Sequence, residues 1–95
     1  MFSIDEIKKR IEPICKRYGV KKVFLYGSYA RGEASDSSNI NMRIEKGSLE
    51  GIDFFRFADE LEDILGKPTD VITTESLSYE FLNMIKPDEV VIYED

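Results

Sequence analysis

The chain contains no histidine and no tryptophan, a single cysteine and only three prolines in 95 residues. Because protein zinc sites are built mainly from Cys and His, this composition argues against a zinc site. Cys15 alone excludes an internal disulfide and is typical of a reducing compartment. No apolar run approaches the roughly 18 residues of a membrane span, and the first residues lack the basic start and apolar centre of a signal peptide. We therefore expect a cytoplasmic protein with no membrane segment.

Basic residues are in the minority and are unevenly distributed. The chain carries 13 Lys and Arg against 19 Asp and Glu, and eight of those basic residues but only three of the acidic ones lie in residues 1–31. An acidic surface repels nucleic-acid phosphates, so we expect no strong stand-alone binding of nucleic acid. The basic part is either the solvated face of a helix or an attraction site for RNA or an acidic partner. The acidic remainder suits a basic partner.

The spacing of apolar residues predicts helices that alternate with strands. A capping box at residues 3–6 opens a first helix that Gly19 closes. Further helices are predicted over about 52–65 and 76–85, and strands over 22–26, 39–45, 69–73 and 89–93. This order and the 42% hydrophobic content predict one α/β (α+β) domain over residues 1–95.

A tight turn follows the first predicted strand. Gly27 and Ser28 separate that strand from a short helix-compatible segment. Such a junction presents unpaired backbone N–H groups and the positive end of a helix dipole, and Ser28 adds a hydroxyl, so the turn suits a phosphate. In the alternative interpretation, Gly27 only permits an unusual backbone angle and Gly32 only ends the helix.

The second predicted strand groups polar side chains on one face. Alternation directs three apolar residues to the core, while Asn39, Asn41 and Arg43 share the opposite face. Polar residues are common on a solvated strand face. Asn is depleted in strands, however, so two of them in register call for a reason.

The segment Gly27-Ser28-Tyr29-Ala30-Arg31-Gly32, followed by Ser38-Asn39-Ile40-Asn41, resembles a known signature. It is similar to that of the minimal nucleotidyltransferases of the DNA polymerase β-like superfamily, which reads Gly-Ser-x-Ala-Arg-Gly, a polar loop, Ser-Asp-(Ile/Leu)-Asp on a strand, and a third Asp on a later strand. The resemblance implies a nucleotidyltransferase fold with a mixed β-sheet of about four strands, helices packed on one face and the site on the other. It also implies that Asp70 is the third acid.

In that family three carboxylates hold two divalent ions that clamp the nucleotide phosphates, so the resemblance implies Mg²⁺ and ATP or another nucleoside triphosphate. The implied catalytic and metal positions are Asn39, Asn41 and Asp70. Two of these residues are amides here, and Mg²⁺ prefers anionic oxygen ligands. We therefore expect metal binding and catalysis to be weak or absent. Natural divergence and deliberate inactivation both explain the two amides.

The implied nucleotide- and phosphate-binding residues are Gly27, Ser28, Arg31 and Arg43. Arg43 lies one pleat repeat beyond Asn41, about 7 Å along the strand. A fixed cation there competes with Mg²⁺ or contacts a phosphate directly. An engineer who disabled two ligands has no reason to add this Arg, which favours natural divergence.

Three functions remain open from the sequence. The leading hypothesis is a binding protein that resembles the antitoxin of a toxin–antitoxin pair, whose HEPN-type RNase toxin it binds and neutralises, as part of a hetero-oligomer or as a homo-oligomer. The second is an active Mg²⁺-dependent nucleotidyltransferase that moves a nucleotidyl group from ATP to a protein or small-molecule hydroxyl, with Asp70 and Glu45 or Asp36 on one metal. The third is a nucleotide sensor without turnover.

Phe55 lies well off the apolar stripe of its predicted helix. It lies beside Asp59 and Glu62 on the helix surface. Either the preceding loop covers this ring, or the ring anchors a protein partner.

Overall fold

The computed structural model describes residues 2–95, and four strands form its single mixed sheet. The elements in chain order are α1 Ile4–Tyr18, β1 Lys22–Tyr26, α2 Ser28–Arg31, β2 Ile40–Glu45, α3 Ile52–Leu65, β3 Thr69–Thr73, α4 Tyr79–Ile85 and β4 Val90–Glu94. The strand order is β3-β2-β1-β4, in which β1 is antiparallel to β2 and β4, and β2 is parallel to β3. A parallel pair needs a crossover connection, and α3 supplies it.

The helices α1 and α3 pack together and cover one face of the sheet. The predicted alternation of β2 is confirmed, because Ile40, Met42 and Ile44 are fully buried in the core that these helices share with the sheet. The first helix begins with the predicted capping box, in which the Ser3 hydroxyl accepts from the Glu6 N–H and the Glu6 carboxylate accepts from the Ser3 N–H. Among residues 2–95, no helix combines the length and apolarity that a bilayer crossing requires.

The segment after β3 differs from the prediction of a helix over about 76–85. Residues 74–76 form a 3₁₀ turn, and α4 begins only at Tyr79 because the Ser78 hydroxyl accepts a hydrogen bond from the Phe81 N–H as its N-cap. The bounds of the other predicted helices and strands agree with the structure to within one residue at each end.

The expectation that the helices pack on one face is confirmed for α1 and α3, and Tyr29 of α2 is buried in the same core, but α4 is an exception. The Phe81 ring of α4 contacts the Tyr26 ring edge to face at 6.3 Å between centroids. Tyr26 lies on the face opposite the core, since its strand neighbour Leu25 is the residue that is fully buried. Therefore α4 covers part of the face on which the site lies.

Candidate functional site

The turn between β1 and α2 has the strained geometry that only glycine adopts readily. Gly27 has φ 82° and ψ −153°, and a Cβ placed on it would lie 2.7 Å from the side-chain nitrogen of Asn41. The turn therefore packs directly against the strand that carries the two amides. Ser28 follows as the first residue of α2, whose first N–H groups lack intrahelical partners.

Strand pairing places three polar side chains in one row across the sheet. Asn41 pairs with Tyr26 of β1 on one side and with Asp70 of β3 on the other. Neighbouring strands lie about 4.7–4.9 Å apart, so residues paired across them are adjacent. The structure therefore brings Asn41 and Asp70 together, and Asn39 is exposed just before β2, two residues from Asn41.

Tyr26 belongs to this row, although no sequence motif predicted it as a site residue. Its pKa is raised, first by burial and then by the negative charges of Asp70 and Glu89. The phenol therefore stays protonated near neutral pH and offers an O–H donor beside the Asn41 amide. The sequence feature that could have indicated a role for Tyr26 was its position as the last residue of β1, directly before Gly27.

The donor set of the row does not fit a pair of magnesium ions. Asp70 is its only carboxylate, and residues 2–95 contain no group of three or more His, Cys, Asp or Glu side chains placed to share a metal ion. Amides supply neutral oxygens, so they offset none of the charge of a divalent cation.

Glu45 and Asp36 are the two acids predicted as substitute ligands. Glu45 pairs with Lys22 at the far end of β2, four residues and about 13 Å along the strand from Asn41. The loop that carries Asp36 is tied to Lys67, whose Nζ donates to the Asp36 carbonyl at 3.0 Å. Glu45 therefore does not share a metal with Asp70 in this arrangement, whereas a role for Asp36 stays a prediction.

Arg43 is not the free cation that its position on the strand suggests, and we correct that interpretation. Its Nε and Nη2 donate to the two carboxylate oxygens of Glu89 at 2.6 and 2.7 Å, and Nη1 donates to Thr74 Oγ1 at 2.8 Å. The guanidinium also lies 3.9 Å from the centroid of the Phe24 ring. Because the residue is 4% exposed and its charge is paired, it neither competes with a metal nor reaches a phosphate in this conformation.

Arg31 is more accessible but also has carboxylate partners. Its Nε donates to Glu33 at 2.8 Å and its Nη1 lies 3.5 Å from Asp88. Hydrogen bonding to Glu33 is the first cause that raises the pKa of this guanidinium. Arg31 stays exposed at the end of α2, so a contact with a phosphate remains a prediction.

Comparison with known proteins identifies the family. Residues 9–95 match the family described as Polymerase beta, Nucleotidyltransferase. The chain belongs to this nucleotidyltransferase family, which confirms the resemblance found in the signature and the predicted fold class.

Relatives extend this assignment over most of the chain. A Methanocaldococcus jannaschii protein, provisionally named a protein adenylyltransferase, is 42% identical over 76 residues that cover 79% of this chain and 82% of the relative. The protein adenylyltransferase MntA of Thermococcus cleftensis is 27% identical over 82 residues, which cover 81% of this chain and 83% of that protein.

Solved structures share the fold at low sequence identity. A chain described provisionally as a minimal nucleotidyltransferase superposes with a TM-score of 0.78 at 24% identity, covering 94% of this chain and 95% of its own. A chain from a complex of a tri-AMPylated Shewanella oneidensis HEPN toxin with its MNT antitoxin gives a TM-score of 0.73 at 15% identity, covering 97% and 73%. These likenesses confirm the fold.

Proposed function

We propose that this chain is the antitoxin-like, protein-binding half of a pair with a HEPN-type toxin, and that its own nucleotidyl transfer is weak or lost. The observation that carries the proposal is the row across the sheet, in which Asn41 stands between Tyr26 and Asp70 against an intact Gly27 turn. The scaffold for a nucleotide is present, whereas the carboxylates for a metal pair are not.

The electrostatics of the site support this proposal. The one carboxylate of Asp70 supplies a single negative charge where two divalent ions would bring four positive charges. The nearby Arg43 and Glu89 neutralise each other and add no net charge. The protein-binding half of the proposal draws on a solved complex of a HEPN toxin with an MNT antitoxin, because one chain from that complex shares the fold of this protein. The lone, fully buried Cys15 is consistent with the cytoplasmic location that we include in the proposal.

A second candidate is an active adenylyltransferase. The names of the relatives from Methanocaldococcus jannaschii and Thermococcus cleftensis favour it, since both names include protein adenylyltransferase, the first provisionally. This candidate requires that Asp70 sustain transfer with amides at positions 39 and 41.

A third candidate, a nucleotide sensor without turnover, needs only the Gly27–Ser28 turn. Calorimetry with ATP that detects no binding would exclude this candidate.

Transfer assays distinguish the first two candidates. The chain is mixed with Mg²⁺, labelled ATP and a HEPN-type protein encoded beside its gene, and compared with the double variant Asn39→Asp/Asn41→Asp. We expect a stable complex, little label transferred by the natural chain and a large gain in the double variant. Robust transfer by the natural chain that the double substitution barely changes would instead establish the enzyme.

Asp70→Asn, made in the natural chain and in the double variant, is the matched control. It should abolish the gained activity and leave the natural chain unchanged, because Asp70 supplies the third carboxylate only when the other two are present.

A further inference from the structure

The outer face of α3 combines exposed apolar and acidic side chains in one line. Ile52 and Phe55 are 66% and 67% exposed, and Asp59 and Glu62 are exposed further along the helix. Their spacing of three, four and three residues places them on one side of the helix over about 15 Å. We call these four residues the α3 outer row.

The α3 outer row has no part in the packing of the domain. The inner side of α3 is formed by Phe57, Leu61 and Leu65, which are buried in the core. The loop before α3 leaves Phe55 exposed, which contradicts the alternative that the loop covers it. The ring of Phe55 rests edge to face on Phe54 at 5.5 Å, so it is supported while its outer side stays in solvent.

The acids of the α3 outer row also differ from their neighbour on the inner edge. Glu60 accepts from both Arg17 and Tyr18 of α1, which ties it to the fold. Within residues 2–95, no ion pair involves Asp59 or Glu62. Their negative charges are available to an incoming cationic group.

We infer that the α3 outer row is a docking surface for a basic amphipathic helix of a protein partner. The apolar end, Ile52 and Phe55, supplies the anchor, and the acidic end, Asp59 and Glu62, selects Lys and Arg on the partner. The acidic charge disfavours nucleic acid and anionic lipid as occupants. A helix is the complementary element because the row is straight and runs for more than two turns.

This inference deepens the proposed function by naming the chemistry of the partner, and it rests on that function only for the existence of a dedicated protein partner. The probe is a labelled synthetic peptide of about five helical turns with Leu on one face and Lys on the other. A second peptide carries Glu in place of each Lys. Fluorescence anisotropy measures the binding of both peptides to the full chain.

We expect the Lys peptide to bind and the Glu peptide to bind at least tenfold more weakly. Phe55→Ser should weaken the Lys peptide on the order of tenfold, as truncation of an interface anchor does. Asp59→Lys should weaken it to a similar extent, with an effect that shrinks as salt is added. Matched controls on α4 are Met84→Ser, at a side chain 73% exposed, and Glu80→Lys, also exposed, and both should bind as the natural chain does.

Three results would overturn the inference: no binding of the Lys peptide, equal binding of the Glu peptide, or equal losses in the α3 and α4 variants. Co-purification with the HEPN-type partner separates the two proposals. If the partner binds Phe55→Ser and Asp59→Lys as well as it binds the natural chain, the docking surface is wrong and the proposed function stands. If no such partner binds while the peptide discrimination holds, the proposed function fails and the surface stands.

Discussion

Replacing Glu89 by Gln should cost this domain a large share of its stability. The Arg43–Glu89 pair is bidentate, and the side chains of its members are only 5% and 7% exposed. Removing the charge of one member of a buried pair leaves the other charge buried without a partner, which lowers the free energy of unfolding by about 3–5 kcal/mol. Because about 1 kcal/mol corresponds to 4–8 °C in a domain of this size, the midpoint of thermal unfolding should fall by at least about 12 °C.

Urea denaturation followed by circular dichroism measures this loss and separates it from a general sensitivity to substitution. The double variant Arg43→Met/Glu89→Leu should recover most of the stability, because it leaves no charge buried. Glu12→Gln is the matched control, since the Glu12–Lys16 pair is about two-thirds exposed at both members and should contribute under about 0.5 kcal/mol.

A change of less than about 0.5 kcal/mol for Glu89→Gln would refute the reasoning. It would mean that Arg43 does not depend on Glu89 for its charge balance. The guanidinium would then again be available to a nucleotide phosphate, and the site would regain the cation that the structure assigns to internal pairing.

Two further predictions concern the core and the turn. Burial raises the pKa of the Cys15 thiol to about 12 from 9.0, so a disulfide reagent should modify it far more slowly in the folded chain than in urea. The folded state keeps the thiol proton to a higher pH than the unfolded state does. The free energy of unfolding should therefore be unaffected by this thiol below about pH 9 and should fall as the pH rises toward 12. Cys15→Ala should flatten that alkaline decrease, measured by urea denaturation at a series of pH values. Gly27→Ala should destabilise the chain more than Gly32→Ala, since both glycines have positive φ but only at Gly27 would the added methyl meet a side chain, at 2.7 Å from Asn41. Equal losses in unfolding free energy at the two glycines would contradict the contact.

Local patterns predicted the parts of the fold that depend on neighbours in sequence. The alternation of β2 located Asn41 and Arg43 on the site face, because the side-chain period of a strand is independent of what the strand packs against. The pairing of Arg43 with Glu89 lay beyond such patterns. It joins residues 46 apart and depends on how the chain returns from α4 toward β4.

The site shows the same division. The resemblance located Asp70, and the parallel register of β2 and β3 placed it beside Asn41. Tyr26 was missed because its role arises from pairing across the sheet rather than from its own residue type. The Ser78 cap and the contact of Phe81 with Tyr26 place α4 on the site face. Neither interaction leaves a periodic pattern in the sequence from which it could be predicted.

The close approach of Gly27 to Asn41 bears on how chains of this kind diverge. The glycine is held by backbone geometry and by the space that the neighbouring side chain fills, and neither requirement involves turnover. A substitution there is expected to harm the fold whether or not a chain catalyses. An intact glycine in the turn therefore reports structural inheritance and carries no information about turnover.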